Sequence, residues 1–396
     1  MTAIVTDARY RMSLAVIRSL GRAGVGVTAA DEGDPGDPAV LGFHSRYAAR
    51  RARVTSPARD PEAFVADLLR LAPGHDAVIP VTLASVLAVA DHAAELGRRL
   101  GLAVAAAESI RTANDTDRLL RVASAVGVPV PTTTTLRPGE AVEDVARRLA
   151  FPVVVKYRAG EELYLPPGRR YAIVRDPADF PAVFRDMHER QAYPLVQEYI
   201  PGAGFGVSVV FNRRREPVAV FQHRRIREYP TTGGPSCFCE STLQPRLTDY
   251  AVRLLRELEW VGVAMVEFKQ DAAGEYRLME INPRFWGSLP LAVAAGVDIP
   301  LILYRVALGE EVSPVTAYRL GVRMRYLFQD LLSFPGYLKR RRDRFRFVRE
   351  YLRDLLDPRV VDGVFARDDP KPGLAYTLRT LGRLRPARRR ASAGED

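Results

Sequence analysis

Glu267, Glu280, Asn282 and Arg284 are the residues of this 396-residue sequence whose types and spacing first suggest chemistry. They share one stretch, Met265 to Gly287, in which two apolar runs flank Asp271-Ala272-Ala273-Gly274, a turn signal that predicts a β-hairpin. Glu267 falls near the end of the first strand, and Glu280 and Asn282 near the end of the second. Period-two alternation puts Glu280, Asn282 and Arg284 on one face, opposite Met279 and Ile281. Two carboxylates and an amide oxygen are hard ligands, of the kind a magnesium ion takes while it also holds phosphate oxygens. Arg284 adds a forked cation suited to a phosphate. The competing reading is a surface hairpin whose charges are merely solvated.

A second chemical signal is Lys156. Basic residues are nearly all arginine, with lysine only at 156, 269, 339 and 371. A lysine ending the apolar run Val153-Val154-Val155 makes sense if phosphate neutralises its ammonium in a cleft. Further on, Gln222-His223-Arg224-Arg225-Ile226-Arg227 precedes Thr232-Gly233-Gly234, a loop able to offer N–H groups to an anion. Alternation sets Arg225 and Arg227 on one face and Arg224 with Ile226 on the other. His223 reads as a structural histidine ahead of a base.

The elements that must position these residues follow from the hydrophobic pattern. Strand Ala3–Thr6, a helix over 11–23 and strand Val25–Ala30 open the chain. With strand Ala77–Val81 and a helix over 83–97 they predict a small open parallel sheet with helices on its faces. No Gly-x-Gly-x-x-Gly follows the first strand, so dinucleotide binding is not inferred. Asn114-Asp115 caps a helix running to Val126, stopped by Gly127.

Glu-x-Asn-x-Arg on a strand, preceded by the strand-borne Glu267, resembles the metal-binding end of an ATP-grasp ligase. The entry Gly127-Val128-Pro129, the strand lysine, the break Val196-Gln197-Glu198-Tyr199-Ile200-Pro201-Gly202 and the arginine strand then occur in that family's order. The likeness is to ATP-grasp proteins of the biotin carboxylase and carbamoyl-phosphate synthase large-subunit type. It implies a mixed α/β and α+β chain. Residues 1–112 would form a Rossmann-like pre-ATP-grasp sheet and 113–310 a two-lobed nucleotide domain, small lobe about 128–196 and large lobe about 197–310. Residues 311–396 would be a helical, basic extension with a disordered Arg/Ala end.

By the same resemblance, Glu267, Glu280 and Asn282 hold Mg2+ (or Mn2+), and Lys156 contacts the α- and β-phosphates of ATP. The hinge offers Gln197, Glu198 and Ile200 to adenine. Arg284 offsets charge during transfer, while Arg224 and Arg227 bind the substrate carboxylate. Departures are Thr116, where many members carry lysine and for which Arg118 is a candidate stand-in, and a flap over 158–171 that is poor in glycine and rich in arginine. Phe285 and Trp286 suit core packing better than a pocket.

The implied activity is ADP-forming carboxylate–amine ligation of a small molecule or peptide precursor through an acyl phosphate. Biotin-type carboxylation, direct phosphorylation and non-catalytic ATP sensing are the alternatives. Composition fits a globular protein, 47% hydrophobic and 27% charged. Without an apolar run long enough to span a membrane or a signal peptide, a cytoplasmic protein is expected. Cys237 and Cys239 suit neither a structural disulfide nor a zinc site. Of the net charge of +11, residues 335–396 supply +8, with 17 Lys+Arg against 9 Asp+Glu. No stacking aromatics mark it for nucleic acid, so a solvated helical face is the plainer reading. An oligomer is compatible with everything in the sequence.

Overall fold

The computed structural model describes residues 1–163, 165, 167–231, 233–315 and 317–384. The expected disordered end from 385 onward, together with Tyr164 and Pro166 of the flap and Thr232 of the Gly-Gly loop, lies outside the described residues.

The N-terminal sheet is parallel, as the strand–helix alternation requires. Its strands are β1 (Thr2–Val5), β2 (Gly26–Asp31), β3 (Ala48–Arg53) and β4 (Ala77–Ile79), in the order β3-β2-β1-β4. A four-stranded antiparallel sheet follows, made of β5 (Thr133–Thr134), β6 (Val153–Lys156), β7 (Tyr171–Val174) and β8 (Leu195–Glu198), ordered β5-β8-β6-β7. The third and largest sheet contains β9 (Gly204–Phe211), β10 (Pro217–Glu228), β11 (Ser236–Ser241), β12 (Gly262–Gln270), β13 (Tyr276–Asn282), β14 (Arg323–Arg325) and β15 (Val361–Asp362). Its order is β13-β12-β9-β10-β11-β14-β15. Residues beyond 311 are therefore not only helical, since β14 and β15 extend this sheet.

Alternation decides which face of the large sheet does what. Val207 and Val209 of β9, Ala264, Val266 and Phe268 of β12 and Ile281 of β13 join a core under the helix Pro245–Glu257, whose Leu247, Leu254 and Leu255 are fully buried. The opposite face gives Phe221 and Met265 to a second core. That core reaches through helices Leu289–Ala295 and Ile299–Ala307 to the helix Arg11–Arg22 beside the N-terminal sheet. A buried arginine fastens the chain ends together. Arg18 Nε donates to Asp369 Oδ2 (2.9 Å), and its Nη1 and Nη2 donate to the carbonyls of Val364 (2.8 Å) and Asp369 (2.9 Å). Among the described residues no single helix is long and apolar enough to cross a membrane.

Candidate functional site

The expected hairpin is β12–β13, with Glu267 directly opposite Glu280 and Met265 opposite Asn282. The register slips once, between Glu267 and Phe268, so Met279 is the extra residue of a bulge. Tyr276, Leu278 and Ile281 consequently share the core face, while Met279 lies outside that core. Simple alternation assigned Met279 to the same side as Ile281, and the bulge removes it. Glu280 and Asn282 keep the face expected of them. Asn282 Nδ2 donates to Glu267 Oε1 (2.9 Å) and Glu280 Oε1 (3.4 Å), so one amide gathers both carboxylates.

Lys156 arrives from the smaller antiparallel sheet. Its Nζ donates to the carbonyl of Met279 (3.5 Å), the group the bulge turns out of the ladder. Burial pulls its pKa down, and Glu280 and Glu267 oppose that pull. Arg284 is turned to a flap residue, with Nε and Nη2 donating to the two oxygens of Glu161 (2.8 and 3.1 Å). Burial works against the Arg284 charge, but Glu161, and then Glu280 and Glu267, raise its pKa. The flap thus brings an acid, Glu161, to Arg284, while its Arg170 donates to the Leu165 carbonyl (2.8 Å).

Two of the expected carboxylate binders stand elsewhere. Register shifts between Arg225 and Arg227 break the alternation of β10 against β11. Arg227 is buried away from the hairpin, donating to Asp330 (2.6 and 3.1 Å) and Asp354 (2.9 Å) beneath the rings of Phe238 and Tyr351. Arg224 is half exposed on Glu240 (3.1 Å), which it shares with Arg323. The arginine that reaches the Glu267–Glu280 pair is Arg225, in a salt bridge with Glu267 and 3.4 Å from Glu228.

Glycines open its path. A Cβ on Gly204 would lie 2.9 Å from Arg225 Cδ, and one on Gly206 would lie 2.3 Å from His223 Cε1. The two residues leave a trough across β9 between β10 and β12. That Gly-x-Gly spacing inside an apolar strand was the available sequence signal for Arg225.

The charges are not evenly matched. Burial pushes the Glu267 carboxyl up to about 7 despite Arg225, and Glu280 adds to the rise. For Arg225 burial again opposes charge, yet Glu267 and Glu228 outweigh it and its pKa is raised. Glu267 and Glu228 together keep Arg225 charged, while burial leaves Glu267 the poorly compensated partner. Among the described residues no group of three His, Cys, Asp or Glu is gathered to hold a metal. Asn282 turns its amide nitrogen to both carboxylates here, and rotating the amide to present Oδ1 would give three oxygens that suit a Mg2+ ion completed by phosphates and water.

At the hinge, Gln197 Nε2 donates to Thr133 Oγ1 (3.0 Å), and Glu198 grips Thr132 through both its N–H and its Oε1 (2.9 Å each). The Ile200 carbonyl accepts from Lys269 Nζ (3.1 Å), whose ammonium lies 5.5 Å from the Tyr199 ring centroid. Lys269, one of the chain's four lysines, thus joins the hinge, a placement that the strand pattern alone does not indicate. Both N–H groups of Gly233 and Gly234 are turned to the Pro230 carbonyl (3.3 and 2.8 Å), so the expected anion nest is closed. Arg118 pairs with Glu108, and the Thr116 N–H donates to the Arg158 carbonyl (2.9 Å). Phe285 and Trp286 are core residues, and burial pushes both cysteine thiols up to about 12, leaving them unreactive.

His223 is buried, with its ring nitrogens 3.3 and 3.5 Å from Ser288 Oγ. Burial, with Arg225 second, drops its pKa to about 3, so the ring is neutral near pH 7. The unfolded chain takes up this proton below about pH 6.5 and the folded chain does not, so stability falls with acidification through that window. Relative to His223→Gln, the wild type should lose about 2 kcal/mol more between pH 7 and pH 5. Urea midpoints at the two pH values would check this.

Known proteins resemble this chain in sequence and in fold. A family profile described as ATP-grasp in the biosynthetic pathway with Ter operon matches residues 191–329. The carbamoyl phosphate synthase large chain of Rubrobacter xylanophilus is 29% identical over 215 residues, which are 52% of this chain but only 20% of that protein. The chain thus spans a minor part of that relative. Among solved structures, the biotin carboxylase domain of Hydrogenobacter thermophilus 2-oxoglutarate carboxylase, in complex with MgADP and bicarbonate, superposes with a TM-score of 0.65 at 18% identity. That match covers 81% of this chain and 73% of the other. The L-amino acid ligase of Bacillus licheniformis gives 0.60 at 15% identity, covering 78% and 75%. Those two likenesses concern the fold. Together with the profile and the sequence relative, they make the chain similar to ATP-grasp proteins, with the profile's match confined to residues 191–329.

Proposed function

We propose that this protein is an ATP-dependent, ADP-forming ligase joining a carboxylate to an amine or similar nucleophile. The observation that carries the reading is the meeting of Glu267, Glu280 and Asn282 on one hairpin with Lys156 from the other sheet. When bound there, Mg2+ would be held by Glu267, Glu280 and Asn282 and would supply charge neutralisation between neighbouring phosphates. Lys156 and Arg284 would balance phosphate charge, which is what phosphoryl transfer asks of a protein. Arg225, rather than Arg224 or Arg227, is positioned to orient the substrate carboxylate. That carboxylate would attack the γ-phosphate, giving an acyl phosphate and ADP, and the amine would then displace phosphate. No side-chain nucleophile is required.

The test is product analysis with Mg-ATP, pooled carboxylic acids and hydroxylamine. ADP with a hydroxamate supports the reading and identifies the acid. AMP with pyrophosphate overturns it, and ADP release that needs bicarbonate would mean carboxylation instead.

Glu161 has a consequence for nucleotide binding. Its carboxylate occupies the fork of Arg284 that a phosphate would take, so binding must displace a half-buried salt bridge. Glu161→Gln should tighten Mg-ADP binding by about fivefold, the value of a pair contributing about 1 kcal/mol. Isothermal titration would measure it, and weaker binding would mean that Glu161 assists the nucleotide.

A further inference from the structure

The region beyond the site carries a surface that ligase chemistry does not use. Helix Arg344–Leu356 packs Phe347, Tyr351 and Asp354 inward. Its outer face shows Phe345 (83% exposed), Leu352 (48%) and Leu356 (77%). Positions 345, 352 and 356 are spaced by seven and four residues, so these side chains form one stripe, about 16 Å long at helical rise. Arg349 and Arg353 flank the stripe, and neither is in a salt bridge among the described residues. At its C-terminal end the stripe runs into an open groove of about 1270 Å³, lined by Leu356, Leu320, Arg319 and Arg353, and by Arg323 and Arg359, which are paired with Glu240 and Asp354 and with Asp357. Leu320 is itself 59% exposed.

Protruding apolar side chains set among arginines call for a partner that is anionic at its surface and apolar just below it. Nucleic acid would engage the arginines but gain nothing from Leu352, Leu356 and Leu320. A folded protein would need pockets for two side chains that stand almost wholly clear of their own surface. A bilayer containing anionic lipids satisfies both requirements, because its headgroups accept the guanidinium forks while its acyl boundary takes in the apolar stripe. We infer that the face built from Phe345, Arg349, Leu352, Arg353 and Leu356, continued by Leu320, docks this protein on an anionic lipid surface. The helix lies on such a surface and does not cross it.

The test uses the full-length protein in sedimentation with phosphatidylcholine vesicles, with and without phosphatidylserine. Binding should appear with phosphatidylserine, weaken with salt and be at least about tenfold poorer without it. Phe345→Glu with Leu356→Glu should abolish binding. Arg349→Ala with Arg353→Ala should weaken it by about fivefold per arginine and flatten the salt dependence. All these positions are exposed, so urea midpoints of the variants should match wild type. The inference is overturned if both vesicle types bind alike, or if neither binds. It is also overturned if the variants sediment like wild type, or if light scattering shows a dimer that Leu356→Glu splits, which would mean that a second copy covers this face. None of these outcomes bears on ADP formation, so the ligase reading stands or falls separately.

Discussion

Glu280→Ala should lower ADP formation by about a thousandfold while leaving the urea midpoint close to wild type. The activity loss corresponds to about 4 kcal/mol, the scale on which a correctly held metal charge stabilises a phosphoryl-transfer transition state. The stability side follows from placement. Glu280 is exposed on β13, and its recorded hydrogen bond is the long one from Asn282 (3.4 Å), so truncation should change stability by no more than about 0.5 kcal/mol. It removes both the like charge that helps to push up the Glu267 carboxyl and the foremost counter-charge of the buried Lys156, so the two effects offset. Mg2+-dependent ADP binding gives a readout independent of the unidentified acid and should be lost in parallel. Wild-type turnover in this variant would remove the metal assignment. Lys156→Met should behave similarly toward nucleotide for the opposite electrostatic reason, and burial of the ammonium, which already lowers its pKa, makes the variant no less stable.

How far the sequence carried the site depends on the range of the interaction. Glu280 and Asn282 were legible because their side chains answer to alternation within a single strand, and Lys156 because a lysine closing an apolar strand demands a partner. Arg225 was not, since its direction depends on how β10 pairs with β11, and the irregularity beyond it belongs to two strands at once. The bulge at Met279 is of the same kind. Glu161 and Arg284 lie 123 residues apart, and no local pattern brings them together. The N-terminal parallel sheet followed from periodicity, whereas the entry of β14 and β15 into the largest sheet did not. Strands of three and two residues carry almost no periodic signal, and their place is fixed by partners such as Phe238 and Cys239 of β11.

Arg227→Ala should give the converse result, a loss of about 3–5 kcal/mol of stability with Mg-ADP binding retained in the folded fraction. Arg227 is 4% exposed, and its guanidinium is divided between Asp330, which is fully buried, and Asp354. Burial pushes the Asp330 carboxyl up even with the guanidinium against it, so desolvation is already incompletely repaid. Burial also opposes the Arg227 charge, but its bonds to Asp330 and Asp354 raise its pKa and keep it ionised. Removing the cation would leave Asp330 buried without its ion-pair partner, while Asp354 stays paired with Arg323 (3.2 Å). Asp330 would then take up a proton, which fixes the sign of the pH dependence. A carboxyl raised in the folded state stabilises below its ordinary pKa, and that contribution is lost as pH climbs through the folded value. The defect of Arg227→Ala should therefore be smaller at pH 5 than at pH 8, and Asp330→Asn added to it should recover part of the loss. Urea midpoints of the single and double variants at both pH values decide the matter. A defect confined to nucleotide binding would return Arg227 to the cleft from which the register shift of β10 removes it.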